Sequence, residues 1–349
     1  MCFSNNFMGG MTLKNIKETD YLYSTARVRS VEKYMLSREK AEKMIDAKTN
    51  QDAINILFEC NYCKDVENDK ISSNNYDFLL AEEHKRTYEF ITSIAPEVSK
   101  FNIFLYTYDY HNLKVLMKSE YLSIDGSELL VDTGSIDINT LKYAIKERDF
   151  SLLTENMSNA LSSIIEQFPK NRDPQLIDII LDKYLYDEIL KSAKEMNNDF
   201  IYDYIVMLID IINLKTYARL RKMNKSWDFF TKVFINGGKI PEQIFVKCFD
   251  EKFEDFANEL FVYGYKDTFL EGVEKFYESG KFTALEKLFD NKIMDYVKSA
   301  KFIPYGIEPL AAYLIAKEHE IKIARIIMAG RIAGIPSELI RERMRETYV

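Results

Sequence analysis

The stretch "YIVMLIDIINLKTYARLRKMNK", Tyr204 to Lys225, decides how the rest of the chain is read. Tyr204, Met207, Ile211, Leu214 and Ala218 step by three or four, and Ile201, Ile205, Leu208 and Ile212 make an adjoining row. This spacing lays both rows along one helix, apolar over much of its circumference and therefore expected to be largely buried. Inside it sit two polar residues, Asp210 and Asn213; after it come Lys215, Arg219, Arg221, Lys222 and Lys225 with no acid among them. A membrane span needs roughly 18 to 20 uninterrupted apolar residues. Asp203 and Asp210 break this one.

The segment recurs. Asn213-Leu214-Lys215 returns upstream as Asn112-Leu113-Lys114 and downstream as Glu320-Ile321-Lys322, at offsets of 213 minus 112, or 101, and 320 minus 213, or 107. Asp210 has its counterpart in Asp109, and "KSAK" stands at both Lys191 and Lys298, again 107 apart. A glycine opening an apolar segment follows each copy, at Gly134, Gly238 and Gly334. The repeat predicts three diverged helical units of about one hundred residues each. Their expected limits are 19–140, 141–243 and 244–349, behind an N-terminal extension over 1–18. "FNIFLYTYDY", Phe101 to Tyr110, is rich in strand-favouring residues, but its match to "FIYDYIVMLID" predicts helix. "SIDGSELLVDTGSID", Ser123 to Asp137, reads as a loop, and "QFPKNRDPQ", with Pro169 and Pro174, as a unit boundary. In the last unit Pro309 suits a first helical turn and Gly330 a stop.

Composition agrees with an all-α chain. Only 7 prolines and 12 glycines in 349 residues leave too few turn signals for an all-β fold. Lys and Arg total 47 against 55 for Asp and Glu, and the net charge of −8 argues against a general nucleic-acid binder. Cys2, Cys60, Cys63 and Cys248 are too few and scattered for a disulfide framework, which suits a reducing cytoplasm. The opening "MCFSNNFMGGMTLKN" lacks the basic start and apolar core of a secretory signal, so no export is expected.

Motifs that carry chemistry are weak. Cys60 and Cys63 have the spacing of a redox pair or half a zinc site, but no second pair exists and two small core residues read as well. His84, His111 and His319 stand beside acidic or amide residues, and none forms HExxH. "INGGKIP", Ile235 to Pro241, resembles a phosphate loop, yet Ile240 follows Lys239 where such a loop needs Ser or Thr. A turn between helices fits better. Asp178 with Asp182, and Asp199 with Asp203, each share a helix face and are compatible with magnesium in an all-α enzyme of the prenyl-transfer kind, but no two aspartates are adjacent. No catalytic residue, cofactor or metal site is expected. Lys215, Arg219 and Lys222 form one cationic stripe at the helix C-terminus, either complementing the helix dipole or docking an acidic protein surface or headgroups.

"DYLYSTARVRSVEKYML", the repeated Asn-Leu-Lys helices and the closing "PYGIEPLAAYLIAKEHEIKIARIIMAGRIAGIPSELIRERM" together resemble the C subunit of prokaryotic V-type (A-type) ATPases, known as the d subunit in eukaryotes. The resemblance spans Thr19 to Val349. It implies a funnel-shaped all-α bundle of three pseudo-symmetric units around a central pocket, without catalysis of its own. It further implies a socket on the cytoplasmic face, peripheral to the membrane. The pocket would receive the central-shaft subunits of the soluble ATPase sector while the base sits on the membrane rotor ring, coupling ATP turnover to proton or sodium transport. Neither nucleic acid nor a direct small-molecule substrate is implied. Candidate partner-interface residues are Arg27, Arg29, Lys215, Arg219, Lys222 and Arg325. Asp109, Asn112, Asp210, Asn213 and Glu320 are expected either to line the pocket or to pair helices. With 23 Phe and 23 Tyr the chain can build the unyielding body a torque adapter needs. The competing expectation is a soluble α-helical scaffold that binds proteins outside any rotary complex.

Overall fold

The computed structural model describes residues 16–63 and 75–349, and among them the chain forms sixteen α-helices and no strand. Most of the expected extension, 1–15, therefore lies outside the described residues. Leu22–Glu32 (α1), Arg38–Asp46 (α2) and Asn50–Glu59 (α3) lead into a long pair, Tyr76–Ile94 (α4) and Asn102–Leu122 (α5). After Ile138–Glu147 (α6) and Glu155–Asn171 (α7) comes a second long pair, Pro174–Glu195 (α8) and Asp199–Lys222 (α9). Four further helices, Trp227–Val233 (α10), Glu242–Lys247 (α11), Phe253–Glu259 (α12) and Lys266–Ser279 (α13), precede a third pair, Thr283–Lys298 (α14) and Ile307–Ile332 (α15). Ser337–Arg343 (α16) is last.

Local chemistry sets many of these ends. Asn198 caps α9 by accepting from the Ile201 N–H at 3.0 Å, and Asp173 caps α8 with Pro174 in its first turn, where the missing N–H costs nothing. Thr49 and Asp52 satisfy each other's backbone N–H groups at the start of α3. The strand-like Phe101–Tyr110 stretch is helical within α5, and Ser123–Asp137 is a loop with one 3-10 turn. One expectation needs correction. α15 does not stop at Gly330 but runs to Ile332; Gly330 is small because Ile340 of α16 lies where its side chain would be. The stop is Gly334, at φ +67°, whose turn returns the Ile335 N–H to the Gly330 carbonyl. "QFPKNRDPQ" is a tight turn at Arg172 and Asp173 between α7 and α8, and Phe168 and Ile177 on its two sides belong to one core.

Burial falls into three clusters. The first gathers α4, α5, α7 and α8 with the first halves of α9 and α15. The second half of α9, from Ile211 to Leu220, belongs to a separate aromatic cluster with α10 to α14. There the Tyr217 ring meets Phe230, Phe245, Phe249, Phe253 and Phe256, and its hydroxyl donates to the Cys248 carbonyl at 2.6 Å. The second half of α15, from Ile321 to Met328, packs instead with residues between Leu36 and Cys63, with Leu79 and Leu80, and with Ile340 and Met344 of the C-terminal segment. Each of these two helices thus changes core midway. The change falls at Asp210 and Asn213 in α9, and at Lys317 and Glu320 in α15.

Candidate functional site

The polar residues of α5 and α9 do the same job twice. Asn112 accepts from the Val131 N–H and donates to the Val131 carbonyl, both at 2.9 Å; Asn213 does so with Ile235, at 3.0 and 2.8 Å. Asp109 accepts from the backbone N–H groups of Ser135 and Ile136, and Asp210 from that of Ile240 at 3.0 Å. A Cβ on Gly134 or Gly238 would collide with the carboxylate of Asp109 or Asp210, which is why a glycine stands at each loop. Burial pushes both aspartates above the ordinary carboxylate value, against the pull of these N–H donors. Asp109, Asn112, Asp210 and Asn213 each hold the loop returning from their own helix, because buried loop N–H groups need acceptors, and Asp210 also accepts from the hydroxyl of Tyr265, at the start of α13, at 3.3 Å. Gly334, with open space around it, is not their third counterpart.

In α15 the same positions are Lys317 and Glu320. Glu320 accepts from the Leu36 N–H at 2.6 Å and the Tyr62 hydroxyl at 2.7 Å, so the loop it holds comes from the other end of the chain. Lys317, 2% exposed, bridges Glu83 at 2.9 Å and Glu320 at 2.6 Å. Burial alone would lower its pKa, but the two carboxylates raise it. Glu83 also takes the Arg86 guanidinium at 2.8 Å and the Cys63 N–H at 3.1 Å, so this buried cluster is fully partnered. Sequence reading missed Lys317 and Glu83, although 317 minus 210 is the same 107 that marks the repeat.

Between the three long helix pairs lies a cavity of about 620 Å³. Its wall includes His84 of α4, Tyr108 of α5, Tyr204 and Lys215 of α9, Asp290 of α14 and Glu318 of α15. Glu318 ties two helices to a third by accepting from the hydroxyls of Tyr88 (2.6 Å) and Tyr108 (3.3 Å), and Tyr108 shares a 2.7 Å hydrogen bond with His84. His319 donates Nε2–H to the Glu346 carbonyl at 3.0 Å; burial, with Lys322 beside it, pulls its pKa down to about 4. Two interfaces around this hollow carry matching ion pairs. From α5 to α8 these are Lys114–Asp182 at 2.5 Å and Lys118–Asp178 at 2.7 Å. From α9 to α14 they are Lys215–Asp290 at 2.7 Å and Arg219–Glu286. Arg325 of α15 meets Asp77 of α4 at 3.2 Å.

The basic stripe of α9 has partners within the molecule. Lys215 and Arg219 answer acids on α14, and Lys222 donates to the Gly280 carbonyl and stands over the Phe276 and Phe282 rings. Arg29 is likewise engaged, with Glu32 and the Ala300 carbonyl, both at 2.7 Å. Arg27 is exposed beside a second hollow of about 290 Å³. Only Lys215 and Arg325, of the six candidate interface residues, line the large cavity.

The family model described as the ATP synthase (C/AC39) subunit matches residues 24–343. The chain belongs to that family. It is a non-catalytic stalk component of a V/A-type rotary ATPase. The C subunit of the V-type sodium ATPase of Enterococcus hirae is 25% identical over 321 residues, covering 92% of this chain and 97% of that protein. The C subunit of the A-type ATP synthase of Methanobrevibacter smithii is 26% identical, covering 93% and 88%, and that of Thermococcus kodakarensis 22%, covering 97% and 94%.

For a member of the C/AC39 family the motifs that suggested chemistry have other uses. Asp178 and Asp182 are taken by lysines, and "INGGKIP" is the loop that Asn213 and Asp210 hold. Cys60 and Cys63 are buried thiols that burial raises to about 11 and about 12, far from a reactive thiolate. No described helix is long and apolar enough to cross a membrane.

Proposed function

We propose that this protein is the socket of the central stalk. Its cavity receives the shaft subunits of the soluble ATPase sector, and its opposite end rests on the membrane rotor ring at the cytoplasmic face. Torque then passes between ATP turnover and ion transport, of protons or sodium. The observation that carries this reading is the hollow ringed by α4–α5, α8–α9 and α14–α15, whose wall sets the hydrogen-bonded His84, Tyr108 and Glu318 among aliphatic side chains such as Leu208, Ile212 and Ile293. A wholly apolar hollow would collapse or aggregate when empty; the hydrogen-bonded polar groups in this wall oppose that.

The body around it is three units related by a pseudo-threefold axis, in the order 19–140, 141–243 and 244–349. Support comes from the twice-used loop clamp and the repeated ion pairs. In this reading the third unit is completed by the chain's beginning, since Glu320 takes the Leu36 N–H as Asn213 takes that of Ile235. Of the six candidates Arg27 is the cation left for partners, while Arg29, Lys215, Arg219, Lys222 and Arg325 brace the socket. Size-exclusion chromatography of the purified chain with the shaft subunits of its own complex tests the reading. Co-elution at low salt is expected, and separate elution would overturn it.

A further inference from the structure

The ion pairs around the cavity follow a rule with one exception. Asp182 of α8 faces Lys114 of α5, and Asp290 of α14 faces Lys215 of α9. One turn away on the same helices, Asp178 faces Lys118 and Glu286 faces Arg219. Moving Asp178 back by the repeat offset of 101 gives Asp77, which faces Arg325 of α15. An outer pair therefore stands at all three interfaces, although its third cation, Arg325, precedes by one residue the position that 219 plus 107 gives, Ile326. Moving Asp182 back by the same offset gives Ala81, and moving Lys215 forward by 107 gives Lys322. The inner pair of the third interface has its cation and lacks its acid.

Ala81 and Lys322 both line the cavity and both are exposed to it. Among the described residues Lys322 makes no hydrogen bond or ion pair. Its surroundings add to the imbalance. Lys322 also lines a hollow that continues the cavity between α9, α14, α15 and α16, with Lys215, Arg219, Arg325, Arg343 and Arg345. Three acids face these six cations, and all are occupied: Glu286 holds Arg219, Asp290 holds Lys215 at 2.7 Å and Arg345 at 3.2 Å, and Asp77 holds Arg325 at 3.2 Å. Six cations against three acids concentrate positive charge here in a chain whose net charge is −8. Like charges focused in a cleft favour an incoming anion and repel a cationic partner.

We propose that Lys322 is left open for a carboxylate of the shaft, an aspartate or glutamate on an inserted helix that completes the third inner pair. This rests on the socket reading. A helix in the cavity would stand where α4 presents Ala81, so its acid would face Lys322 as Asp182 and Asp290 face Lys114 and Lys215. The added pair would lock the inserted helix in rotation relative to α15, which a torque-bearing joint requires.

Calorimetric titration of the full chain with its shaft subunits tests this, using Lys322→Ala, Lys322→Glu and Ala81→Asp, with Lys142→Glu on the exposed surface as the charge control. Lys322→Ala is expected to weaken binding about five- to tenfold and Lys322→Glu by more than about tenfold, with a reduced salt dependence for the alanine variant. Ala81→Asp supplies the missing acid from within, so it should melt no lower than the parent chain and yet bind about as poorly as Lys322→Ala. If Ala81→Asp does not fold, Lys322→Ala alone decides. Parent-like binding by the variants, with the parent chain itself binding, would overturn the proposal and leave the socket reading intact. Failure of the parent chain to bind would overturn both. Inorganic phosphate at constant ionic strength is the remaining arm. If it raises the melting temperature of the parent chain but not of Lys322→Ala, a small anion is the occupant and the proposal fails.

Discussion

At the scale of single residues, burial made demands that the chain met in two ways. Asp109 and Asp210 satisfy loop N–H groups, whereas at the equivalent position Lys317 is a buried cation between two carboxylates. Removing that cation leaves Glu83 and Glu320 buried and facing one another's charge. Lys317→Ala should therefore cost about 3–5 kcal/mol, read as a lower denaturation midpoint at pH 7; a loss under about 1 kcal/mol would show the site relaxing around water. His319 supplies a pH dependence. Unfolded, it takes its proton near 6.5; folded, only near 4, because burial and Lys322 oppose the charge more than Asp290 and the Glu346 carbonyl favour it. Between those values the unfolded chain binds the extra proton. Its contribution to stability is thus complete above about pH 6.5 and lost as pH falls toward 4. His319 is only half-buried in the cavity wall, so the loss should be about 1–2 kcal/mol. His319→Gln keeps a donor for the Glu346 carbonyl, and its melting temperature should fall less than the parent's across that range.

At the scale of elements, α9 shows what a sequence pattern can and cannot say. Its apolar rows foretold a buried helix, and Ile201, Ile205, Ile211, Leu214 and Ala218 are all buried. Its cationic stripe was legible as a stripe, but its use was not, because the acids it meets are on α14, some seventy residues on. Those two contacts should differ in strength. Lys215 and Asp290 are 19% and 16% exposed, whereas Arg219 is 55% exposed. Double-mutant cycles should give a coupling of about 1–2 kcal/mol for Lys215 with Asp290 and below about 0.5 kcal/mol for Arg219 with Glu286, the latter fading in high salt. Equal couplings would mean that burial does not set the difference. The aromatic cluster under α9 was legible only as composition; that Tyr217 would be its centre depended on where α10, α11 and α12 fold back.

At the scale of the whole molecule, the two ends of the chain build one core. Leu36, Leu57 and Leu80 pack with Ile323, Ile327 and Met344, and Arg331 of α15 donates to the carbonyls of Ile45 and Ala47. α15 is therefore covered over its second half by residues nearly three hundred positions away. Deleting residues 36–63 should expose that half while leaving the first half in the core it shares with α4 and α5. Hydrogen exchange followed by mass spectrometry would report this as fast exchange from about Ile321 onward and slow exchange before it. Uniform protection along α15 would show that the second half holds without its cover.

The sequence by itself determined that the chain is helical, which helices are buried, where polar residues interrupt them and that the Asn-Leu-Lys stretch of α9 recurs in α5. These follow from periodicity, composition and self-similarity, all local or read along one line. Only the tertiary structure decided what the polar residues hold, which acids answer the basic stripe, and that the polar position of the last long helix accepts its loop from the chain's beginning. Each of those is a pairing across dozens to hundreds of residues. Burial requires that a partner exist, but a single sequence does not say which residue will be brought near enough to serve.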